Sequence, residues 1–274
     1  MAVHDCSCKR AYPAPLYFKA LLILLLPLVL LFPAHAEHSE RTLKQFGPEL
    51  SEAIFSIQQD IVAADNPGGY YWEKYQHLEP FYWVNIPVWM RQDRSQRKVH
   101  RILDIGCGYG TLLTIATVIY DAPGGGYCED VSQYLLPAVA TKHQLTFSKG
   151  NIELDGVIWT EKFDVIVMTE VLEHFNFQPV PTLIKIREAL APGGTFFMST
   201  PDSKQWGKTT KYYKKLKDLP AANRDARIID DHVWQYSEKE LKQVLKEAGF
   251  SILKLEYAPG GGNRHFNVMA RAIR

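Results

Sequence analysis

Apolar residues recur at helical spacing between Glu49 and Ala64, at Leu50, Ile54, Ile57 and Ile61, and the pattern stops at the turn cluster DNPGG. An amphipathic helix is predicted there. From Val99 onward the period changes. Short apolar runs predict strands at Ile102–Ile105, Gly126–Glu129, Leu145–Phe147, Asp164–Met168, Thr195–Ser199, Phe250–Glu256 and Phe266–Ala272. Between them, helical patterns occupy Thr111–Tyr120, Ser132–His143, Val180–Leu190 and Ser237–Ala248. Strands separated by helices of this length require right-handed crossovers, hence a mainly parallel sheet. The last two strands are joined only through APGGGN and should form an antiparallel hairpin at one edge. The expected fold is α/β: a seven-stranded, mostly parallel sheet with helices on both faces and an N-terminal helical cap. No internal repeat interrupts this order.

The first 36 residues follow another pattern. Lys9, Arg10 and Lys19 precede a continuous apolar run from Ala20 to Phe32, and AHA follows at Ala34 to Ala36. A positive segment, a short apolar core and a small-x-small site make a secretory signal, with the cut expected after Ala36. An uncleaved membrane anchor is the alternative, if Leu16 to Phe18 join the run and Lys19 snorkels toward the twenty or so residues a span needs. Positive charge before the run and Glu37 and Glu40 after it place the following domain on the far side of the membrane. The expected division is residues 1–36 as signal or anchor, 37–98 as helical cap, and 99–274 as the main domain, with an insertion at 203–231. The protein is thus expected to be exported or membrane-associated.

Composition narrows the function classes. The 274 residues carry 31 basic and 30 acidic side chains for a net charge of +1, which argues against a general nucleic-acid binder. Hydrophobic content of 46% and aromatic content of 12% suit a globular chain. Cys6 and Cys8 fall in the presumed signal, and Cys107 and Cys128 alone make no disulfide framework.

Candidate chemistry begins at RILDIGCGYGTLL, Arg101 to Leu113. Gly106, Gly108 and Gly110 follow the first strand and precede a helix, where a turn must bring backbone close to a ligand. No Gly-Lys-Ser/Thr closes a phosphate loop, and Thr111 stands where a dinucleotide fingerprint wants its third glycine. Asp104, two residues before the first glycine, would repel a pyrophosphate but suits a ligand bearing an ammonium group. The second strand ends in YCEDVS, where Asp130, or Glu129 as second choice, can accept both hydroxyls of an adenosine ribose. Either carboxylate is otherwise a solvated turn residue.

The segments LDIGCGYG, EDVS, FDVIVMTEVLEHF, LAPGGTFFMSTPD and HVWQYSEKELKQVLKEAGF occur in an order that resembles class I S-adenosylmethionine-dependent methyltransferases. They look most like the ubiquinone-biosynthesis O-methyltransferase branch, over about Val99 to Arg274. The resemblance implies a Rossmann-like fold and S-adenosylmethionine as cofactor. It further implies that Asp104 and Gly106 to Gly110, with Cys107 among them, meet the methionyl part and Asp130 the ribose. Asn151 and Ile152 of the GNIE loop would meet the adenine, with Thr169 completing the set. Asn151 stands where the branch usually has aspartate, and its amide oxygen is expected to pair with the adenine amino group. Cys107 also reads as a small packing residue.

Methyl transfer from a sulfonium is an in-line displacement that chiefly needs alignment, and a base only when a hydroxyl must lose its proton. In TEVLEHF, Glu170, Glu173 and His174 sit three and four apart, so one helical turn would place them on one face. With His232 from DDHVWQYS they make a credible ligand set for a divalent ion such as magnesium or manganese. The alternatives are support of the strand–helix turn without metal, with His174 or His232 as base beside Glu170, or His232 as a lone surface histidine. A similar Glu/Glu/His/His set in small-RNA 2′-O-methyltransferases keeps that activity open, although the low net charge and the signal speak against nucleic acid. A non-catalytic binding module is the other alternative. The expected acceptor is a small or lipid-linked molecule, methylated at oxygen.

The aromatic stretch Tyr70, Tyr71, Trp72, Tyr75, Phe81, Tyr82, Trp83 and Trp89 reads either as a helix packed on the sheet or as a lid over an aromatic or lipid-like acceptor. Lys208, Lys211, Lys214, Lys215 and Lys217, interleaved with Tyr212 and Tyr213, offer contact with an anionic membrane surface or a phosphate-bearing acceptor. An ordinary solvated helix face is the alternative.

Overall fold

The computed structural model describes residues 34–65, 69–128, 134–258 and 264–273. The expected signal core, Glu129 and Asp130 lie outside the described residues. Seven strands form one sheet: β1 (Ile102–Ile105), β2 (Gly124–Cys128), β3 (Thr146–Lys149), β4 (Phe163–Thr169), β5 (Leu190–Pro201), β6 (Phe250–Tyr257) and β7 (His265–Ala272). Their order is β3-β2-β1-β4-β5-β7-β6. Pairs from β3 through β5 are parallel, while β5–β7 and β6–β7 are antiparallel. The fold is therefore the expected Rossmann-like α/β sheet, with the terminal hairpin at one edge.

Helices cover both faces. On one lie α1 (Ala34–Ala64), α2 (Gln76–Trp83), α3 (Asn85–Arg94), α4 (Thr111–Tyr120) and α5 (Pro137–Lys142). On the other lie α6 (Pro179–Ala189) and α8 (Glu238–Glu247), and the four-residue α7 (Ser203–Trp206) opens the insertion. Successive strand side chains divide between the faces: Val165 and Val167 pack under α1–α5, Ile166 and Met168 under α6 and α8. Ser237 caps α8 through a reciprocal box with Glu240, which explains its sharp start. Among the described residues no helix is long and apolar enough to cross a membrane.

The apolar stripe of α1 lands as read: Leu50, Ile54, Ile57 and Ile61 are all buried. Pro48 bends the helix, with Gly47 in a non-helical conformation just before it. The helix begins at Ala34, ahead of the expected cut, and its core is shared with α4; residues 34–273 pack together. α5 has proline in its first helical turn, while Ser132, the expected start of the helix, lies outside the described residues. The lysine-bearing stretch is not an α-helix face. It runs as loop with one 3₁₀ turn at Leu216–Asp218.

Two polar contacts fix α3 to the sheet. Asp93, 1% exposed, is held by Arg97 at 2.8 Å and Arg271 at 3.1 Å, and accepts hydrogen bonds from Tyr120 and Thr195. Burial alone would raise its carboxyl, but the hydrogen bonds and charge of Arg97, aided by Tyr120 and Thr195, hold it below the usual carboxylate range. At the other end of the helix, Asn267 of β7 accepts from the Asn85 backbone N–H at 3.1 Å and donates to the Tyr82 carbonyl at 2.7 Å.

Candidate active site

At the carboxyl ends of the parallel strands, on the side where open α/β sheets bind ligands, lies a cavity of about 880 Å³. That is near the upper end of the range for small-molecule sites. The glycine loop after β1 forms one wall. Gly106 has φ +75°, and a Cβ there would stand 2.3 Å from Val171 Cγ2. Gly108 has φ +52° and lines the cavity, where a Cβ would project toward the Tyr75 hydroxyl at 3.7 Å. Bare backbone is needed at both positions. Gly150, Asn151 and Ile152, after β3, continue this wall. Bare backbone at Gly106, Gly108 and Gly150, along the ends of β1 and β3, fits an extended nucleoside-bearing cofactor. Gly106, Gly108, Asn151 and Ile152 are the described residues placed to hold it.

Not every expected cofactor residue is there. Asp104, 1% exposed, sits in β1 behind the loop, and neither it nor Cys107, Gly110 or Thr169 lines the cavity. The Asn151 side-chain oxygen accepts from the backbone N–H groups of Glu153 at 2.9 Å and Leu154 at 3.1 Å. The Asn151 side chain thus closes a local turn at the cavity wall.

TEVLEHF does not form one α-helical turn. Glu170 takes φ +55°, a conformation uncommon for a residue with a side chain, and a 3₁₀ turn begins only at Leu172. The change of backbone direction separates the two carboxylates' partners. Glu170 accepts from Ser199 Oγ at 2.7 Å and pairs with His265 Nδ1 at 2.9 Å. Glu173, fully buried, accepts from Thr200 Oγ1 at 2.9 Å. Burial foremost, then the neighbouring Glu170, raises the Glu173 carboxyl well above its ordinary range.

Glu173, His174 and His232 offer donor atoms within 4.8 Å of one another. The expected four-donor set is thus corrected to three, because Glu170 turns to Ser199 and His265. Fit to a divalent ion is partial, since burial disfavours the anionic form of Glu173 that an ion would need. His174 Nδ1 lies 3.0 Å from the Asp231 carbonyl, which can only accept, so Nδ1 carries the hydrogen and Nε2 keeps a lone pair. Burial, then His232, lowers the His174 pKa and favours the neutral imidazole. Its ring meets that of His232 edge-on at 4.7 Å.

The aromatic stretch divides between core and cavity. Tyr71, Trp83 and Trp89 are core residues, whereas Tyr70, Tyr75 and Tyr82 line the cavity. Burial, then acidic or tyrosine neighbours, raises Tyr75, Tyr82 and Tyr109, the last to about 12, so these phenols stay protonated. His265 and Trp206 escaped the sequence reading. His265 sits one residue before the expected last strand, in GGGNRHF, and Trp206 at the start of the insertion. Neither has a local signal. The lysines of the basic segment are exposed, and within it Lys208 pairs with Glu240 and lies over Trp234, and Lys211 pairs with Asp231.

Comparison with known proteins agrees with this geometry. The chain is 28% identical over 171 residues to a carboxy-S-adenosyl-L-methionine synthase of Trichodesmium erythraeum, covering 56% of this chain and 66% of that protein. It is 32% identical over 108 residues to a mitochondrial ubiquinone biosynthesis O-methyltransferase of Candida albicans, covering 36% and 32%. The match therefore spans less than two thirds of either relative. Among solved structures, an S-adenosylmethionine-dependent methyltransferase from Clostridium acetobutylicum shares the fold with a TM-score of 0.53 and 13% identity, over 74% of this chain and 99% of that one. A magnesium protoporphyrin IX methyltransferase from Synechocystis, solved with bound SAH, gives 0.52 and 16%, over 86% and 100%. A family model described as a methyltransferase domain matches residues 72–255, so the chain belongs to that family and is a class I S-adenosylmethionine-dependent methyltransferase.

Proposed function

We propose that the enzyme methylates a small-molecule acceptor at oxygen, with His174 receiving the hydroxyl proton. Bound S-adenosylmethionine supplies an electrophilic methyl group and departs as the neutral thioether. The chain aligns the acceptor, and His232 and Glu170 position it beside His174. The observation that carries this reading is the contact of His174 Nδ1 with the Asp231 carbonyl, which leaves Nε2 unprotonated in a half-buried, neutral ring. A base so placed contributes about 10²–10⁴ in rate. The cavity wall has no lysine or arginine among the described residues, which weighs against an RNA 2′-O-methyl acceptor.

The test is incubation with methyl-labelled cofactor and a lysate split into small-molecule, lipid, protein and RNA fractions. Alkali-stable label in the small-molecule fraction is expected, and label in the lipid fraction would point to a lipid-linked acceptor. Label confined to RNA or protein would overturn the reading, and no label despite S-adenosylhomocysteine binding would mark a binding module. Once an acceptor is found, His174→Gln should lower kcat by about 10²-fold or more.

A second reading is favoured by the clustering of Glu173, His174 and His232: a magnesium or manganese ion that would orient the acceptor oxygen. Because ion binding needs the anionic form that burial disfavours at Glu173, affinity should rise with pH. Manganese titration followed by paramagnetic resonance at pH 6 and 8 tests this, and no binding at either would dismiss it. For location, we propose export or retention at a membrane, supported by Lys9, Arg10, Lys19 and the apolar run before AHA. A chain that starts at Met1 and resists external protease would refute export.

A further inference from the structure

We propose that the acceptor half of the cavity selects a positively charged ligand, an aromatic molecule carrying an ammonium group, seated on Glu170 between Tyr82 and Trp206. The proposal rests on the methyl-acceptor reading of this cavity and adds the charge of what enters it. Glu153, Glu170, Glu173 and Asp230 line the cavity, and among the described lining residues there is no lysine or arginine. The basic side chains nearest in sequence are engaged elsewhere: Lys208 by Glu240, Lys211 by Asp231, and Arg264 by Asp202 and the Tyr257 ring. An anionic acceptor would therefore meet carboxylates with no counter-charge, a repulsion that excludes as much as any contact attracts.

The seat is built, and it is unfinished. Glu170 is fixed by Ser199 and His265 in its left-handed backbone conformation, with its side chain 17% exposed. A carboxylate has about four acceptor positions, so each oxygen retains one after these contacts. Around it stand aromatic rings: Tyr82 lies 4.8 Å and Trp206 5.6 Å from the His265 ring, and Tyr75 lies 6.2 Å from Tyr82. Tyrosine and tryptophan rings lining the same cavity as a carboxylate make a setting in which organic ammonium groups are held. One further atom on the same wall, His265 Nε2, is buried with no hydrogen-bond partner among the described residues. An ammonium brings three donors and no acceptor, and so matches a wall dominated by acceptors. A phosphate or carboxylate brings only acceptors and does not.

The experiment uses three probes of similar shape on the whole chain saturated with S-adenosylhomocysteine: tyramine as cation, 4-ethylphenol as neutral and 4-hydroxyphenylacetate as anion. Titration calorimetry at pH 7 should show tyramine binding at least tenfold tighter than 4-hydroxyphenylacetate, with 4-ethylphenol between. Glu170→Gln should shrink the ratio of tyramine to 4-ethylphenol affinity several-fold, and a thermal melt reports whether that variant folds. The wild-type series stands without it. Equal or tighter binding of the anion, or no binding of any probe to the loaded protein, would overturn the charge selection while leaving the cofactor reading intact. Failure of S-adenosylhomocysteine itself to bind would overturn both.

Discussion

Asp93 and Glu173 are both buried carboxylates, yet they sit at opposite ends of the same two strands, opposite edges of the sheet in that sense only, and are treated in opposite ways. Asp93 meets β5 and β7 where Thr195 pairs with Arg271, and two guanidinium groups answer its charge. Glu173 and Glu170 meet the same two strands near Thr200, Ser199 and His265, where no lysine or arginine lines the cavity among the described residues. The first carboxyl is held below its ordinary range and the Glu173 carboxyl is pushed well above it. Glu79 lies between these extremes: burial raises it to about 7, while hydrogen bonds from Tyr71, Gln58 and Thr111 act against that rise. One edge of the sheet spends its charge on cohesion. The other keeps uncompensated acid where a ligand enters, the pattern expected of a functional site.

The largest effect should come from breaking the compensated edge. Arg97→Met leaves Asp93 buried with Arg271 as its remaining cation, and should cost about 3 kcal/mol, the lower end for removing one partner of a buried pair. Urea unfolding at pH 7 measures it. Because the folded Asp93 pKa is lowered, its stabilisation is present above the unfolded value of about 3.9 and is lost as pH falls through the folded value. The difference between variant and wild type should therefore narrow in acid. A constant difference down to pH 2 would mean that packing, not charge, holds α3.

Glu79 tests the intermediate case. Its folded pKa of about 7 lies above the unfolded value, so stability should fall as pH rises from about 4.5 to 7 and level off beyond. A shift of that size corresponds to roughly 3 kcal/mol across the window. Glu79→Gln should flatten this part of the stability–pH curve. An unchanged curve would show that Glu79 is ionised in the folded protein.

At the ligand edge, Gly108→Ala should cost about 1–2 kcal/mol of stability for the left-handed backbone. Its methyl group would also enter the cavity, so S-adenosylhomocysteine affinity should fall about tenfold by titration, or about 1.4 kcal/mol. Undiminished affinity would remove the glycine loop from the cofactor site. The smallest effect is expected from Lys208→Met. That ion pair with Glu240 is partly exposed, and its loss should change stability by about 0–1 kcal/mol without moving cofactor affinity. Lost vesicle binding in that variant would instead restore a membrane role for the basic segment.

Local pattern carried most of the fold. Short apolar runs marked β1 and β4, the stripe Leu50, Ile54, Ile57 and Ile61 marked α1, and glycines after an apolar strand marked the cofactor loop, because each signal lies within a few adjacent residues. The sequence also placed Glu173, His174 and His232 together, although a helical spacing was the wrong reason. Glu170 was assigned with them because spacing says nothing of a backbone that turns to φ +55°. Its actual partner, His265, comes from a strand that β5 and β7 bring alongside only when the sheet closes. Likewise Asp93 finds Arg271 across 178 residues. Periodicity determines which side of an element is buried; which charges are answered there is decided by strand order, since pairing energy depends on distances that exist only in the folded chain.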